Sequence, residues 1–157
     1  MVRCKSTTRL SSIKSPIILA QTDTTVGFLS QNSDKLYEIK SRETTKPFIK
    51  IFSDFESFKH STCRVPSSQK SLVRRSKKTT FIVKNKAFRI AKNNLNSKIL
   101  KDLSWHYSTS ANKSGENFKR EFCETKADII VEDINGLHEN SSSALIKINS
   151  KKRKKLR

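Results

Sequence analysis

Three polar segments of the chain combine residue types that could hold a small polar ligand or a phosphate. Thr22-Asp23-Thr24 offers two hydroxyls beside a tight turn, a combination that could hold an amino acid. Lys40-Ser41-Arg42 and the following Lys46-Pro47 place three cations within seven residues, and Arg and Lys commonly bind phosphates. The loop Ser110-Ala111-Asn112-Lys113-Ser114-Gly115 is made of small and polar residues, so its backbone amides could approach an anion.

Each segment also has a simpler interpretation when it is considered alone. Thr and Asp side chains close turns by bonding to the nearby backbone, and cations of a basic chain often belong to a solvated surface. The third segment could be an ordinary strand-to-helix turn. It is not a Walker A loop, which needs GxxxxGK followed by Ser or Thr, nor a nucleophile elbow, which needs GxSxG.

No metal-binding or disulfide pattern is found among the histidines and cysteines. They are scattered and include no CxxC or HExxH spacing: His60, His106, His138, Cys4, Cys63 and Cys123. No apolar run approaches the roughly 18 residues that a membrane span requires. We therefore expect a cytoplasmic protein with no metal site of its own and no membrane partner.

The charge of the chain points to a class of partner. Thirty-three Lys and Arg residues oppose fourteen Asp and Glu, giving a formal net charge of +19. Such an excess favours a polyanion such as a nucleotide, tRNA or another RNA, because neutralised phosphates release their counterions. The alternative is a Lys-rich composition with an ordinary solvated surface.

Hydrophobic patterning predicts alternating strands and helices that would position these segments. Strands are predicted at 17–20, 47–52, 79–83, 87–91, 105–109, 128–131 and 144–148. A first helix is predicted from a cap at Asn32 or Ser33 to an end near Lys40-Ser41-Arg42. Further helices are predicted from the capping box Ser53-Asp54-Phe55-Glu56 to His60, from Pro66 to Arg75, along Leu95, Ile99 and Leu103, and around Phe118 and Phe122. A tight turn at Asn85-Lys86 is predicted to join two of the strands.

These elements predict a single α/β domain over residues 1–157 with a twisted mixed sheet and flanking helices. The ends, 1–15 and 150–157, are expected to be poorly ordered.

In combination and in this order, the segments resemble the Sua5/YrdC/TsaC family. Thr109 to Glu116 reads TSANKSGE and is very close to the family's TSANxSGE loop, which is the specific element. Thr22-Asp23-Thr24 resembles its PTDT stretch, and Lys40-Ser41-Arg42 with Lys46-Pro47 resembles its K-x-R-x-x-x-K/N-P element. Weaker similarities place Arg89, Ser143 and Arg157 on the family's V-A-V-R, S-T-V-V and I-L-R stretches.

The chain departs from the family pattern at three places. Gln21 stands where the family has the Pro of PTDT, and Val26-Gly27-Phe28 stands where it has Tyr-Gly-Leu. The segment from Gly27 to Lys40 is shorter than usual, and Lys77 to Thr80 lacks the Pro and Gly of the family's PGPLT turn. The resemblance is therefore to a short, divergent member with a YrdC-like fold.

The resemblance implies an L-threonylcarbamoyladenylate synthase. Such an enzyme joins L-threonine, bicarbonate and ATP, with Mg²⁺ expected, into threonylcarbamoyl-AMP and pyrophosphate, and transferase proteins downstream place t6A at position 37 of tRNA. Carried over by position, the catalytic residues are Lys40, Arg42, Ser110 and Asn112. ATP contacts fall on Arg42, Lys46, Ser110, Asn112 and Arg157, and threonine contacts on Thr22, Thr24, Arg89 and Ser143.

Two alternatives accompany this interpretation. The first is a basic module of the same fold that binds RNA or a nucleotide without chemistry, which the high charge and the departures favour. The second is the YrdC-like part of hydrogenase maturation proteins, although the chain lacks their zinc-finger and acylphosphatase parts. A strong salt dependence of binding would indicate phosphate-backbone contacts and favour the first alternative.

Overall fold

The computed structural model describes residues 2–4, 14–41, 47–91, 103–113, 116–132 and 134–157. Its strands are β1 (Val2–Cys4), β2 (Ile18–Gln21), β3 (Val26–Ser30), β4 (Ile49–Phe52), β5 (Thr79–Val83), β6 (Lys86–Ile90), β7 (Trp105–Ser110), β8 (Ile129–Val131), β9 (Ala144–Ile148) and β10 (Arg153–Lys155). Its helices are α1 (Ser33–Lys40), α2 (Phe55–Lys59), α3 (Lys70–Arg75), preceded by a 3-10 turn at Ser67–Gln69, and α4 (Arg120–Lys126).

Within the described residues all ten strands belong to one sheet, in the order β1-β8-β2-β3-β7-β4-β6-β5-β9-β10. The pairs β2/β8, β4/β6 and β5/β9 are parallel, and the remaining neighbours are antiparallel. This confirms the predicted α/β class with a mixed sheet.

Successive residues of a strand point to opposite faces of the sheet, and the helices pack on one of these two faces. Leu36 of α1 and Cys123 of α4 are buried in one cluster with Phe28 of β3. Phe58 of α2 is buried in a second cluster and stacks on Phe88 of β6, with ring centroids 4.5 Å apart. Each cluster buries mainly aliphatic and aromatic side chains, which supplies the main driving force for this packing.

The opposite face carries a smaller apolar cluster over β2, β3 and β8, made of Ile18, Ala20, Leu29, Ile129 and Val131. Further along the sheet, Ile51 of β4 lies between His106 of β7 and Arg89 of β6 in the strand register. The three residues therefore share this face, and polar groups replace the apolar cluster at the centre of the sheet.

The caps and the turn lie at their predicted positions or one residue away from them. Asn32 caps α1 as expected, since its side chain accepts from the amides of Asp34 and Lys35. The cap of α2 is Asp54 rather than Ser53, with the amide of Ser57 2.7 Å from its carboxylate. The turn between β5 and β6 is at Lys84-Asn85, both with positive φ, so the turn predicted at Asn85-Lys86 was one residue late.

Other predicted elements require larger corrections. No strand was predicted over Val26–Ser30, yet β3 lies there and all its residues are buried. Phe118 precedes α4 instead of lying on it. Arg153–Lys155 of the basic tail forms β10 against β9. Most of the predicted helix around 95–103 lies outside the described residues. No helix in the described part of the chain is long and apolar enough to cross a membrane.

Candidate functional site

A pocket opens on the sheet face opposite the helices. It encloses about 330 Å³, within the range of small-ligand sites. Its walls come from the turn after β2, from β3, β4, β6 and β7, and from the two ends of the C-terminal strand pair. Six of the predicted site residues line it: Thr22, Thr24, Arg89, Ser110, Ser143 and Arg157.

Arg89 is the buried cation of this pocket. Its side chain is only 5% exposed, and its Nη2 lies 3.2 Å from the Asp23 carboxylate while its Nη1 donates to Thr24 Oγ1 at 3.2 Å. Burial lowers the pKa of Arg89, and the nearby Asp23 carboxylate opposes that effect. The Nε–H of Arg89 is a buried donor with no hydrogen-bond partner among the described residues. Such a donor is costly unless a ligand or water accepts from it.

The turn that carries Thr22 and Thr24 is closed by its own side chains. Thr22 Oγ1 donates to the carbonyl of Thr25 at 2.6 Å and accepts from the amides of Thr24 and Thr25 at 3.2 Å. The hydroxyls of Thr22 and Thr24 lie 3.1 Å apart. Thr22 therefore shapes the turn, and Thr24 connects the turn to Arg89.

The far wall of the pocket comes from the C-terminal strands. Ser143 is buried, and its hydroxyl lies 2.9 Å from that of Thr80 on β5. Arg157 Nε donates to the carbonyl of Ser143 at 3.1 Å, and the amide of Leu145 donates to the carbonyl of Arg157 at 3.1 Å. These contacts hold the Arg157 guanidinium at the pocket edge.

Lys40 connects the end of α1 to the loop after β7. It is buried, and its Nζ donates to the carbonyl of Ser110 at 3.1 Å, to Asn112 Oδ1 at 2.6 Å and to the carbonyl of Asn112. Ser110 Oγ donates to Asn112 Oδ1 at 2.7 Å, and Asn112 Nδ2 donates to the carbonyl of Glu116. One ammonium thus binds both Ser110 and Asn112, and charge-assisted bonds of this kind are stronger than neutral ones.

The structure therefore brings most of the predicted site residues together. Ser110 joins the two groups, since it lines the pocket and also accepts from Lys40. Arg42 and Lys46 lie outside the described residues. Within the described part of the chain, no group of three His, Cys, Asp or Glu comes together that could hold a metal ion.

The sequence analysis missed two features of this face. Gly27 lines the pocket, and a Cβ there would lie 3.1 Å from the carbonyl oxygen of Thr109, so any larger residue would crowd β3 against β7. His106 is 2% exposed, and its Nδ1 has no partner among the described residues. Burial, and next the charge of Arg89, lowers the pKa of His106 to about 4, so the imidazole is neutral near pH 7. Gly27 lies in the stretch that stands where the family has Tyr-Gly-Leu, but no role was predicted for it, and no motif marks His106.

A mixed sheet with helices on one face and a polar pocket on the other defines an α/β domain with a pocket of small-ligand size. Residues 14–157 match the sequence model of the Sua5/YciO/YrdC family, which is described as "Telomere recombination". The chain belongs to this family. A comparison with curated protein sequences finds no match.

Solved structures show the same fold. A double variant of P. abyssi Sua5 is 18% identical, with a TM-score of 0.76 over 90% of this chain and 52% of that protein. P. abyssi Sua5 complexed with L-threonine is 18% identical, with a TM-score of 0.71 over 90% of this chain and 50% of that protein. E. coli YciO is 14% identical, with a TM-score of 0.70 over 92% of this chain and 83% of that protein. The chain thus spans about half the length of the Sua5 structures.

Proposed function

We propose that the protein is an L-threonylcarbamoyladenylate synthase. The observation that carries the proposal is the pocket itself, in which Ser110 of the TSANKSGE loop faces the same space as Thr24 and Arg89. Family membership and the fold shared with a Sua5 that binds L-threonine support it. In this proposal one end of the pocket takes the amino acid and the other end takes the nucleotide.

Arg89 would bind the carboxylate of threonine. Its Nη atoms already contact Asp23 and Thr24, whereas its Nε–H has no partner among the described residues. A ligand carboxylate would accept from that buried donor, and the buried position strengthens the interaction because water screens it little. Ser143 and Thr24 offer hydroxyls on either side.

The proposed reaction needs no side-chain nucleophile. The threonine nitrogen attacks the carbon of bicarbonate, water leaves, and a carbamate forms. A carbamate oxygen then attacks the α-phosphorus of ATP, and the bond to the β,γ-diphosphate breaks to release pyrophosphate. The protein would act by holding three substrates in line and by stabilising the charge that develops on the phosphates.

Lys40 would act through the loop rather than on the phosphates directly. Its three bonds to Ser110 and Asn112 hold the loop in one shape before the nucleotide arrives. Such preorganisation avoids a reorganisation cost during the reaction. Arg157, which is fixed to the carbonyl of Ser143, would meet ATP at the pocket edge.

The test is pyrophosphate release from ATP by the purified protein with bicarbonate and with threonine, serine or no amino acid. We expect release that depends on threonine, with serine poorer by roughly tenfold, since one methyl group is worth about 1–3 kcal/mol in a pocket. A folded protein that binds ATP but releases no pyrophosphate with threonine would contradict the proposal and favour the non-catalytic binding module.

A further inference from the structure

The Asp and Glu residues of the chain are distributed unevenly. Residues 60–91 and 141–157 contain 16 of the 33 Lys and Arg residues and none of the 14 Asp and Glu. A Lys-rich composition by itself would leave carboxylates scattered over the whole surface. Two separate parts of the sequence are thus free of negative charge.

The fold joins these two parts into one region. Residues 60–91 contain α3, β5 and β6, and residues 141–157 contain β9 and β10. The strands lie side by side at one end of the sheet in the order β6-β5-β9-β10, because β5 pairs parallel to β9. Four neighbouring strands span roughly 14 Å. We call this region, residues 60–91 and 141–157, the basic end.

The cations of the basic end face solvent. Fourteen of its 16 Lys and Arg are exposed: Arg64, Lys70, Arg74, Arg75, Lys77, Lys84, Lys86, Lys147, Lys151, Lys152, Arg153, Lys154, Lys155 and Arg157. None of these fourteen forms an ion pair with a described residue. Elsewhere on the surface, cations such as Lys59 and Arg120 pair with glutamates at 2.6–2.7 Å. Like charges placed together repel one another, and a bound polyanion would relieve that repulsion.

The chemistry of the basic end favours nucleic acid over a membrane. Among the described residues of the basic end, Leu156 is the only large hydrophobic side chain that is exposed. The basic end therefore lacks the apolar anchors with which proteins bind a membrane surface. Ser and Thr side chains lie between the cations, for example Ser68, Ser71 and Ser141, and such groups also donate to phosphates.

We propose that the basic end binds the phosphate backbone of RNA. The choice of RNA over DNA rests on the proposed function, because threonylcarbamoyl-AMP, the product of the proposed reaction, is used to modify tRNA. Binding is dominated by counterion release and therefore weakens steeply with salt. The exposed cations lie outside the interior of the pocket, and of the fourteen only Arg157 is among the residues that line it.

The experiment measures binding of an unmodified tRNA transcript to the whole chain by fluorescence anisotropy across a salt series. The test variant carries Lys151→Gln, Lys152→Gln and Lys154→Gln. The matched control carries Lys14→Gln, Lys59→Gln and Lys126→Gln, three exposed lysines outside the basic end with the same change in net charge. Pyrophosphate release is measured on the same samples.

We expect the test variant to bind tRNA at least about tenfold more weakly at 100 mM salt, with the slope of log K against log salt reduced by about 2–3. The control should change less than about twofold, and both variants should keep the pyrophosphate release of the parent protein. Equal weakening in both variants would overturn the proposal, because net charge alone would then explain binding. Stronger binding to vesicles with anionic lipid than to tRNA would overturn it as well. RNA binding without pyrophosphate release would support the surface and contradict the proposed enzyme.

Discussion

Lys and Arg are used in opposite ways in the buried candidate site and on the exposed surface of the basic end. Lys40 and Arg89 are buried, and each is held by named acceptors: the loop after β7 for Lys40, and Asp23 with Thr24 for Arg89. The exposed cations of the basic end have no carboxylate partner among the described residues. A buried cation must be matched by fixed partners because desolvation is expensive, whereas an exposed one costs little and acts by number. Changes at the pocket should therefore be large and specific, and changes at the basic end small and additive.

The largest effect is expected from Lys40→Met, which keeps the length of the side chain and removes its charge. Three acceptors on Ser110 and Asn112 would lose their donor, so the loop would lose its shape. We expect pyrophosphate release to fall at least about a hundredfold and the free energy of unfolding to fall by about 2–4 kcal/mol. Turnover assays and denaturant unfolding measure the two effects.

The control for this prediction is Lys126→Met, which alters an exposed lysine in the last turn of α4. It should leave both quantities close to those of the parent protein. A Lys40→Met protein with parental turnover would show that the loop keeps its shape without the ammonium.

The next effect is expected from Arg89→Lys, which keeps the charge and removes the planar fork. The planar guanidinium of Arg89 can donate to Asp23, Thr24 and a ligand carboxylate at the same time, and the single ammonium of a lysine cannot reproduce that geometry. We expect the KM for threonine to rise at least about tenfold, with a smaller change in the KM for ATP. Arg64→Lys, at an exposed arginine, is the matched control. An equal rise in both KM values would place Arg89 outside the amino-acid end of the pocket.

A third effect concerns stability against pH and depends on His106. The pKa of its imidazole is lowered to about 4 in the folded state, so the unfolded state takes up the proton first as the pH falls. Stability is therefore lost between about pH 6.5 and pH 4, by about 3 kcal/mol in total, and this contribution is constant above and below that window. His106→Leu should flatten this part of the curve, as measured by urea unfolding at several pH values.

His60 provides the comparison, since its side chain is 79% exposed. His60→Leu should lose more stability between pH 6.5 and pH 4 than His106→Leu does. If His106→Leu and the parent protein lose the same stability between pH 6.5 and pH 4, the imidazole is not buried in its neutral form.

The smallest effect is expected at a single position of the basic end. Lys154→Gln removes one of many exposed charges, so tRNA affinity should fall by less than about threefold and the free energy of unfolding should change by less than about 0.5 kcal/mol. The losses of Lys151→Gln, Lys152→Gln and Lys154→Gln should add up to that of the triple variant. A single substitution that abolished binding would mean that the basic end contains a specific contact, which would weaken the contrast with the pocket.

Some of the structure was predictable because it depends on local sequence. The strand at Ala144–Ile148 and the cap at Asn32 were predicted, since apolar runs and side-chain caps act over a few residues. β3 was not predicted: Gly27 interrupts its apolar pattern, and burial on both faces removes the alternation that identifies a strand. The TSANKSGE loop matches a family motif, so the sequence by itself indicated the family that the family model confirms.

The sequence by itself determined the mixed α/β class, the basic character and the residue types of the candidate site. Only the tertiary structure decided which of those residues meet. Lys40 reaches Ser110 across 70 positions of the chain, and Arg89 reaches Thr24 across 65. The parallel pairing of β5 with β9 likewise brings the two carboxylate-free segments together. Such contacts depend on strand order and register, which are set by the packing of the whole sheet, and no local pattern of residues encodes them.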